Sequence, residues 1–420
     1  MEGNAWSPLL SGGLRAQALE AVQAIATSLS TGEVGPVEAD AGSLVGGHAG
    51  LAVFFAYLEQ AGLASRGSEV AERFLDEAVE AVATQPLPPS LYEGFTGVAW
   101  ALEHLAGRLF DPDDDDANEA IDEALLEYVS QSPWIHDYDV VGGLVGIGVY
   151  ALERLPRPEA KALLELVIER LDESAERGPH GVTWHTAPDL LPPSQRDLCP
   201  NGYYNLGLAH GVPGVISLLG QACAAGVART TAEPMLADAV AWLLAQRLPA
   251  DMSSSFSSWT GPGIERDSAR SAWCYGDPGV AAALLGAARC IGEPRWEREA
   301  LVLARRAAAR PTEEARIHDA GLCHGAAGLA HLFNRMSQAT ADSRLADAAQ
   351  FWFARALEMR IPGRGIAGFA AREAGGWVAD PGILTGAAGI GLALLAAITP
   401  IEPEWDRILL LSVRDPARSR

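Results

Sequence analysis

The chain has 420 residues, 49% of them hydrophobic, with 54 acidic against 31 basic residues and a net charge of −23. That apolar content suffices for a large buried interior and argues against disorder, while an acidic balance without a basic block argues against nucleic acid and anionic membrane surfaces as partners. Length alone suggests two or three domains, but an internal repeat outweighs it, and one domain over 1–420 is expected.

Amphipathic stretches rich in Glu, Ala and Arg lie near 14–31, 67–84, 118–130, 158–177, 231–247, 294–309 and 341–359, with a terminal piece near 403–413. In the second, Val70, Phe74, Ala78 and Val82 line one side of a helix and Glu72, Asp76 and Glu80 the other. Between these stretches Gly-x-x-Gly opens an apolar run seven times, at Gly47, Gly94, Gly143, Gly211, Gly276, Gly325 and Gly386. The intervals are 47, 49, 68, 65, 49 and 61 residues, a repeat of about 48 with three enlarged connections. Runs such as Leu51–Tyr57, Val215–Leu219 and Ile390–Leu395 are apolar on nearly every face, so each predicts a buried inner helix. Gly382–Thr399 is apolar enough to resemble a membrane helix, but it carries the same motif and is read as the last inner helix.

Seven outer helices alternating with seven inner ones predict an all-α fold, a double-layered α/α toroid, with an open solenoid as the alternative. Closure is favoured because the inner helices have no continuous polar face. The glycines are expected to let backbones approach where inner helices converge. Pro213 and Pro278 within the motif mark helix starts, so the residues just before each motif line one end of the toroid. The enlarged connections, 178–206, 248–272 and 361–381, are expected to form loops with small β-containing pieces at that rim, such as Gly181–Trp184 and Ser255–Trp259. The acidic stretch Asp111–Asp116 lacks the glycine of an EF-hand loop and is read as a solvated linker.

Aligning the seven motifs on the first glycine concentrates reactive side chains in the fourth, fifth and sixth repeats. One residue before it stand Gly46, Glu93, Gly142, His210, Tyr275, His324 and Thr385; two before it, Cys274 and Cys323 share one register 49 residues apart. Cys274, Cys323 and His324 make a Cys2His set for one zinc ion with a fourth position open. A lone cysteine or histidine at a helix start is more often structural; the shared register is what favours metal. Cys199, Cys223 and Cys290 lie outside it and are read as structural. The odd set of five cysteines, with no basic segment and apolar run at the start, is what a cytoplasmic protein with free thiols would show. His210 has no cysteine before it and suits acid–base work, with Asp139 as its carboxylate partner. Arg270 suits a developing oxyanion and Tyr275 donation or positioning. Pairing of Arg270 with Asp139, or helix capping by either, accounts for these two residues equally well.

Trp273–Gly279, Cys323–Gly328, Asn205–Gly214 and Tyr138–Val140 resemble the lanthionine synthetase C-like family, the lanthipeptide cyclases. The resemblance spans the chain, and the Cys-Tyr-Gly and Cys-His-Gly pair is its most specific part. It implies a cyclase that adds peptide cysteine thiols to dehydroalanine or dehydrobutyrine in a dehydrated precursor peptide, leader plus core. It implies zinc on Cys274, Cys323 and His324, with His210, Asp139, Arg270 and Tyr275 serving the chemistry. It also implies a stand-alone cyclase that works with a separate dehydratase and an export transporter; with Gly382–Thr399 read as an inner helix, no membrane insertion is expected. Three other readings are a relative acting on another thiol such as glutathione, a non-catalytic peptide-binding scaffold, and another α/α-barrel enzyme.

Overall fold

The computed structural model describes residues 6–31, 41–64, 66–110 and 116–411. In chain order the helices are α1 (Gly12–Ser30), α2 (His48–Gln60), α3 (Gly67–Thr84), α4 (Phe95–Leu105), α5 (Glu119–Val129), α6 (Leu144–Arg154), α7 (Pro158–Ser174), the single turn α8 (Pro193–Arg196), α9 (Val212–Ala224), α10 (Arg229–Ala245), α11 (Asp277–Ile291), α12 (Pro294–Ala308), α13 (Ala326–Thr340), α14 (Ser343–Glu358) and α15 (Ala387–Ile398). Seven of these start at a glycine motif and seven are the amphipathic partners read from the sequence. Asp111–Asp115 of the acidic stretch lie outside the described residues.

The two helix types differ as their patterns require. Every residue of α15 is buried, and each fully buried Leu or Ile there stabilises the fold by roughly 1.5–3 kcal/mol. Helix α3 buries one stripe, Ala71, Phe74, Leu75, Ala78 and Ala81. Val70 and Val82, expected on that stripe, sit at its half-buried edge. The alanines take the centre because their small side chains let α3 pack close against α2. At 12 residues α15 would span about 18 Å, short of a bilayer, and among the described residues no helix is long and apolar enough to cross one.

The described chain divides into two compact units, one from 1–118 and 317–405, the other from 119–316 and 406–420. In the first, α13, α15, α2 and α4 are successive inner neighbours, backed by α14 on α13, α1 on α15 and α3 on α2. The start of the chain is stitched to the end of α15, where Ala397 O accepts from Leu9 N and Leu10 N at 2.9 Å each and Ala396 O from Trp6 Nε1 at 2.8 Å. In the second unit α6, α9 and α11 are the inner series, with α7, α10 and α12 outside them.

The glycine motif proves to be a device for seating a loop on the first helical turn. A Cβ on the first glycine would lie 2.2 Å from Asp137 O at Gly143, 2.2 Å from Asn205 O at Gly211 and 1.9 Å from Arg270 O at Gly276. One on the second glycine would lie 1.9 Å from Leu91 O at Gly97 and 1.8 Å from Leu322 O at Gly328. The approaching backbone therefore belongs to the preceding loop, whereas convergence of inner helices was expected. The reason is hydrogen bonding. A helix begins with N–H groups that have no intrahelical partner, and here the loop supplies carbonyls to them: Leu144, Val145 and Gly146 donate to Asp137, Tyr138 and Asp139 at 3.3, 3.0 and 3.1 Å. Ala326, Ala327 and Gly328 repeat this with Asp319, Ala320 and Gly321 at 2.9, 3.2 and 3.2 Å. Inner helices approach at other glycines, as where Gly220 of α9 meets Ala287 of α11.

The enlarged connections hold the strands. β1 (Glu176–Gly178) and β2 (Gly181–Thr183) form a hairpin, and β3 (His185–Thr186), β4 (Tyr203–Asn205) and β5 (Trp259–Thr260) form one antiparallel sheet drawn from two connections. β6 (Ala371–Glu373) and β7 (Gly376–Val378) form a second hairpin. Of Ser255–Trp259, read as β-like, only Trp259 joins a strand. Ser255 N instead donates to the Asp277 carboxylate at 2.8 Å and Ser254 Oγ to Phe256 O at 2.6 Å; such local bonds compete with a ladder.

Candidate functional site

The helix-start loops are hydrogen-bonded to one another at a common register. In the first unit Val45 N donates to Tyr92 O at 2.9 Å, Ile383 N to Val45 O at 2.8 Å and Cys323 N to Leu384 O at 2.7 Å. In the second, Val140 N donates to Ala209 O at 3.1 Å. These backbone bonds help fix the loop positions from which Cys323 and His210 project.

Asp139 and His210 meet in the second unit. Asp139 Oδ1 accepts from Gly142 N at 2.8 Å, which holds the carboxylate, and Oδ2 lies 2.6 Å from His210 Nδ1. Asp139 therefore takes His210 as its partner. Burial alone would lower the His210 pKa, but the hydrogen bond and charge of Asp139, with lesser contributions from Cys274 and Asp137, outweigh it and raise the imidazole above its ordinary value. Asp137 is itself raised to about 6, by burial first and by the charge of Asp139 second, with His210 opposing. The ring of Tyr275 lies 6.2 Å from that of His210. Its hydroxyl accepts from Asn205 Nδ2 at 3.2 Å, and burial pushes its pKa well above the usual phenol range, so it remains protonated with its own hydrogen to donate. Trp259 stands edge-on to Tyr275 at 6.1 Å and stacks on Tyr203 at 5.4 Å. Arg270 is half-buried; among the described residues its side chain has no hydrogen bond or ion pair, so its charge is uncommitted.

Cys274 is buried, and Cys323 and His324 are half-buried. One ligand atom from each lies within 4.8 Å of the other two. A tetrahedral zinc ion with Zn–S bonds of about 2.3 Å sets ligand atoms about 3.8 Å apart, so the donor set and its spacing fit zinc. The remaining cysteines are elsewhere: Cys199 packs with Leu191 and Tyr203, and burial pushes Cys223 up to about 11 and Cys290 to about 12, as suits inert thiols.

Two residues at this site were not singled out from the sequence, Asp137 and Asn205. Both stand six residues before a motif glycine, where Asp319 and Asp380 also stand. That shared polar position was a signal the alignment contained.

A mostly helical protein of paired inner and outer helices, with a thiol–imidazole donor set on its helix-start loops, is the class these observations define. The family model for "Lanthionine synthetase C-like protein" matches residues 38–410, and the chain belongs to that family. The nisin biosynthesis protein NisC of Lactococcus lactis subsp. lactis is 24% identical over 242 residues, 51% of this chain and 56% of that protein, so the match spans about half the length of this curated relative. A solved structure of a nisin cyclase superposes with a TM-score of 0.73 at 21% identity, covering 89% of this chain and 93% of that one. The fold is accordingly the α/α toroid expected from the repeat.

Proposed function

We propose that this chain is a zinc-dependent lanthipeptide cyclase, a single α/α-toroid domain that closes thioether rings in a dehydrated precursor peptide. The observation that carries the reading is the Cys274, Cys323 and His324 cluster within 4.8 Å; the 2.6 Å His210–Asp139 pair adds the acid–base group the chemistry needs. Cys274, Cys323 and His324 would hold the ion, which when bound supplies the positive charge that keeps a substrate thiol as thiolate near neutral pH.

The remaining work falls to this chain's own side chains. The substrate sulfur gives an electron pair to the β-carbon of dehydroalanine or dehydrobutyrine, a C–S bond forms, and the alkene pair shifts toward the α-carbon and its carbonyl oxygen. Arg270, with no competing carboxylate, is the group assigned to that oxygen's negative charge. Asp139 holds Nδ1 of His210, which leaves Nε2 as the nitrogen that exchanges a proton with substrate. The raised pKa enlarges the share of His210 held as imidazolium, the form that delivers a proton to the α-carbon. The Tyr275 hydroxyl, oriented by Asn205, donates a hydrogen bond beside it.

The test is to incubate the protein with a dehydrated precursor peptide and count free thiols, with and without a chelator. Thiols consumed only when metal is retained support the proposal. Bound metal with undiminished thiols would favour the scaffold reading, and consumption of glutathione in place of the peptide thiol would favour the relative acting on another thiol.

A further inference from the structure

The 361–381 connection, which the proposed chemistry leaves unused, carries a feature at odds with the rest of the surface. Trp377, on β7, is 41% exposed. The Arg364 guanidinium lies 4.3 Å from its ring centroid and that of Arg372 lies 5.5 Å away. Strand register explains half of this: Arg372 and Trp377 are directly opposite across the β6–β7 pair, hence on one face, while Glu373, one residue on, points to the other. The turn before the hairpin supplies the rest. Arg364 N donates to Ile361 O at 3.1 Å, which sets Arg364 beside Ile361, itself 47% exposed.

Stacking on an aromatic face does not neutralise a guanidinium. Among the described residues neither Arg364 nor Arg372 has a carboxylate partner, whereas nearby Arg360 is paired with Glu20 at 3.0 Å. In a chain with 54 acidic and 31 basic residues, two unpaired arginines flanking an exposed tryptophan and an exposed isoleucine are not the residue of an indifferent surface. The hairpin is also tied to the metal-ligand loop. Asp319, four residues before Cys323, accepts from Gly321 N at 3.1 Å with Oδ1 and from Arg372 N at 3.0 Å with Oδ2. A single carboxylate thus fixes the hairpin against the loop that delivers Cys323 and His324.

We propose that Ile361, Arg364, Arg372 and Trp377 form a docking surface for a segment of the peptide substrate in which carboxylates alternate with apolar side chains. Carboxylates pair with the two guanidiniums, and an apolar side chain lies against Trp377 and Ile361. The surface stands next to the loop carrying two of the three ligands, so a docked segment would place its neighbouring residues near the site and raise their effective concentration there. That the segment belongs to the substrate rests on the cyclase reading; that the surface binds such a segment does not.

The probe is a fluorescein-labelled synthetic peptide of alternating glutamate and leucine, followed by anisotropy at low salt. The intact protein binds it despite its own net charge of −23; the double variant Arg364→Glu/Arg372→Glu binds at least about tenfold more weakly, and Trp377→Ala, which leaves charge unchanged, several-fold more weakly. All these side chains are exposed or half-buried, and circular dichroism verifies that the variants fold. No binding by the intact protein, or equal binding by it and both variants, overturns the proposal. Binding weakened as expected upholds the surface even if the protein forms no thioether rings, a result that would sink only the cyclase reading.

Discussion

His210 and His324 occupy the same place in two repeats, one residue before the motif glycine, yet their surroundings differ in kind. The residue before His324 is Cys323, and a second cysteine, Cys274, brings its sulfur within 4.8 Å. The residue before His210 is Ala209, and its imidazole meets the Asp139 carboxylate at 2.6 Å. In both repeats the motif glycine lets the preceding loop approach closely, Asn205 O at Gly211 and Gly321 N at Gly325. In the proposed chemistry one neighbouring side chain sets what each imidazole does: beside cysteine the position is assigned as a ligand, beside a carboxylate as a proton carrier. Repeat architecture supplies equivalent positions, and divergence at single positions supplies chemistry.

The largest effect is expected from removing the cysteine beside His324. Cys323→Ala leaves two donors where three are needed, so metal content falls from about one ion per chain to near zero, and ring formation falls with it by at least about 100-fold. Metal analysis and thiol counting on the same sample check both. Full occupancy in that variant would remove Cys323 from the ligand set.

Next is the carboxylate side. Asp139→Asn removes the influence that most raises the His210 pKa while leaving burial, which lowers it, in place. The His210 titration followed by NMR then moves to lower pH, and ring formation slows by about 10- to 100-fold with metal retained. The same linkage acts on stability. Because the folded pKa is raised, the pair's contribution is complete below the unfolded value of about 6.5 and is lost as pH rises through the higher folded value. Asp139→Asn therefore loses stability relative to the parent at pH 6 and little of it well above the raised value, read by melting at the two pH values.

The smallest effect belongs to the orienting groups. Tyr275→Phe removes the hydroxyl that accepts from Asn205 and slows ring formation several-fold, and Asn205→Ala in that background adds little. Additive losses would mean the two act separately.

Much of the fold was legible because it rests on period and burial. A 48-residue spacing of Gly-x-x-Gly and helices apolar on all faces leave little choice but fourteen alternating helices. Shared register put Cys274 and Cys323 at equivalent repeat positions, and one donor atom from each lies within 4.8 Å of the other and of one from His324. What escaped the sequence was cross-loop pairing. Nothing in the chain alone says that β3, β4 and β5 join two separate connections, or that Asp319 reaches Arg372 N. These depend on which loops the folded frame brings together. Asp137 and Asn205 were visible as a register but not as partners of Asp139 and Tyr275, because a polar residue at a loop start caps a helix as readily as it serves a site.

The claim that one register carries two roles is tested most directly by the metal content of two matched variants, His324→Ala and His210→Ala, each purified beside the parent and analysed for zinc per chain. His324→Ala is expected to lose most of the metal, and His210→Ala to keep about one ion per chain while ring formation drops by about two to four orders of magnitude. Equal zinc in the two variants, whether both retained or both lost, would contradict that claim.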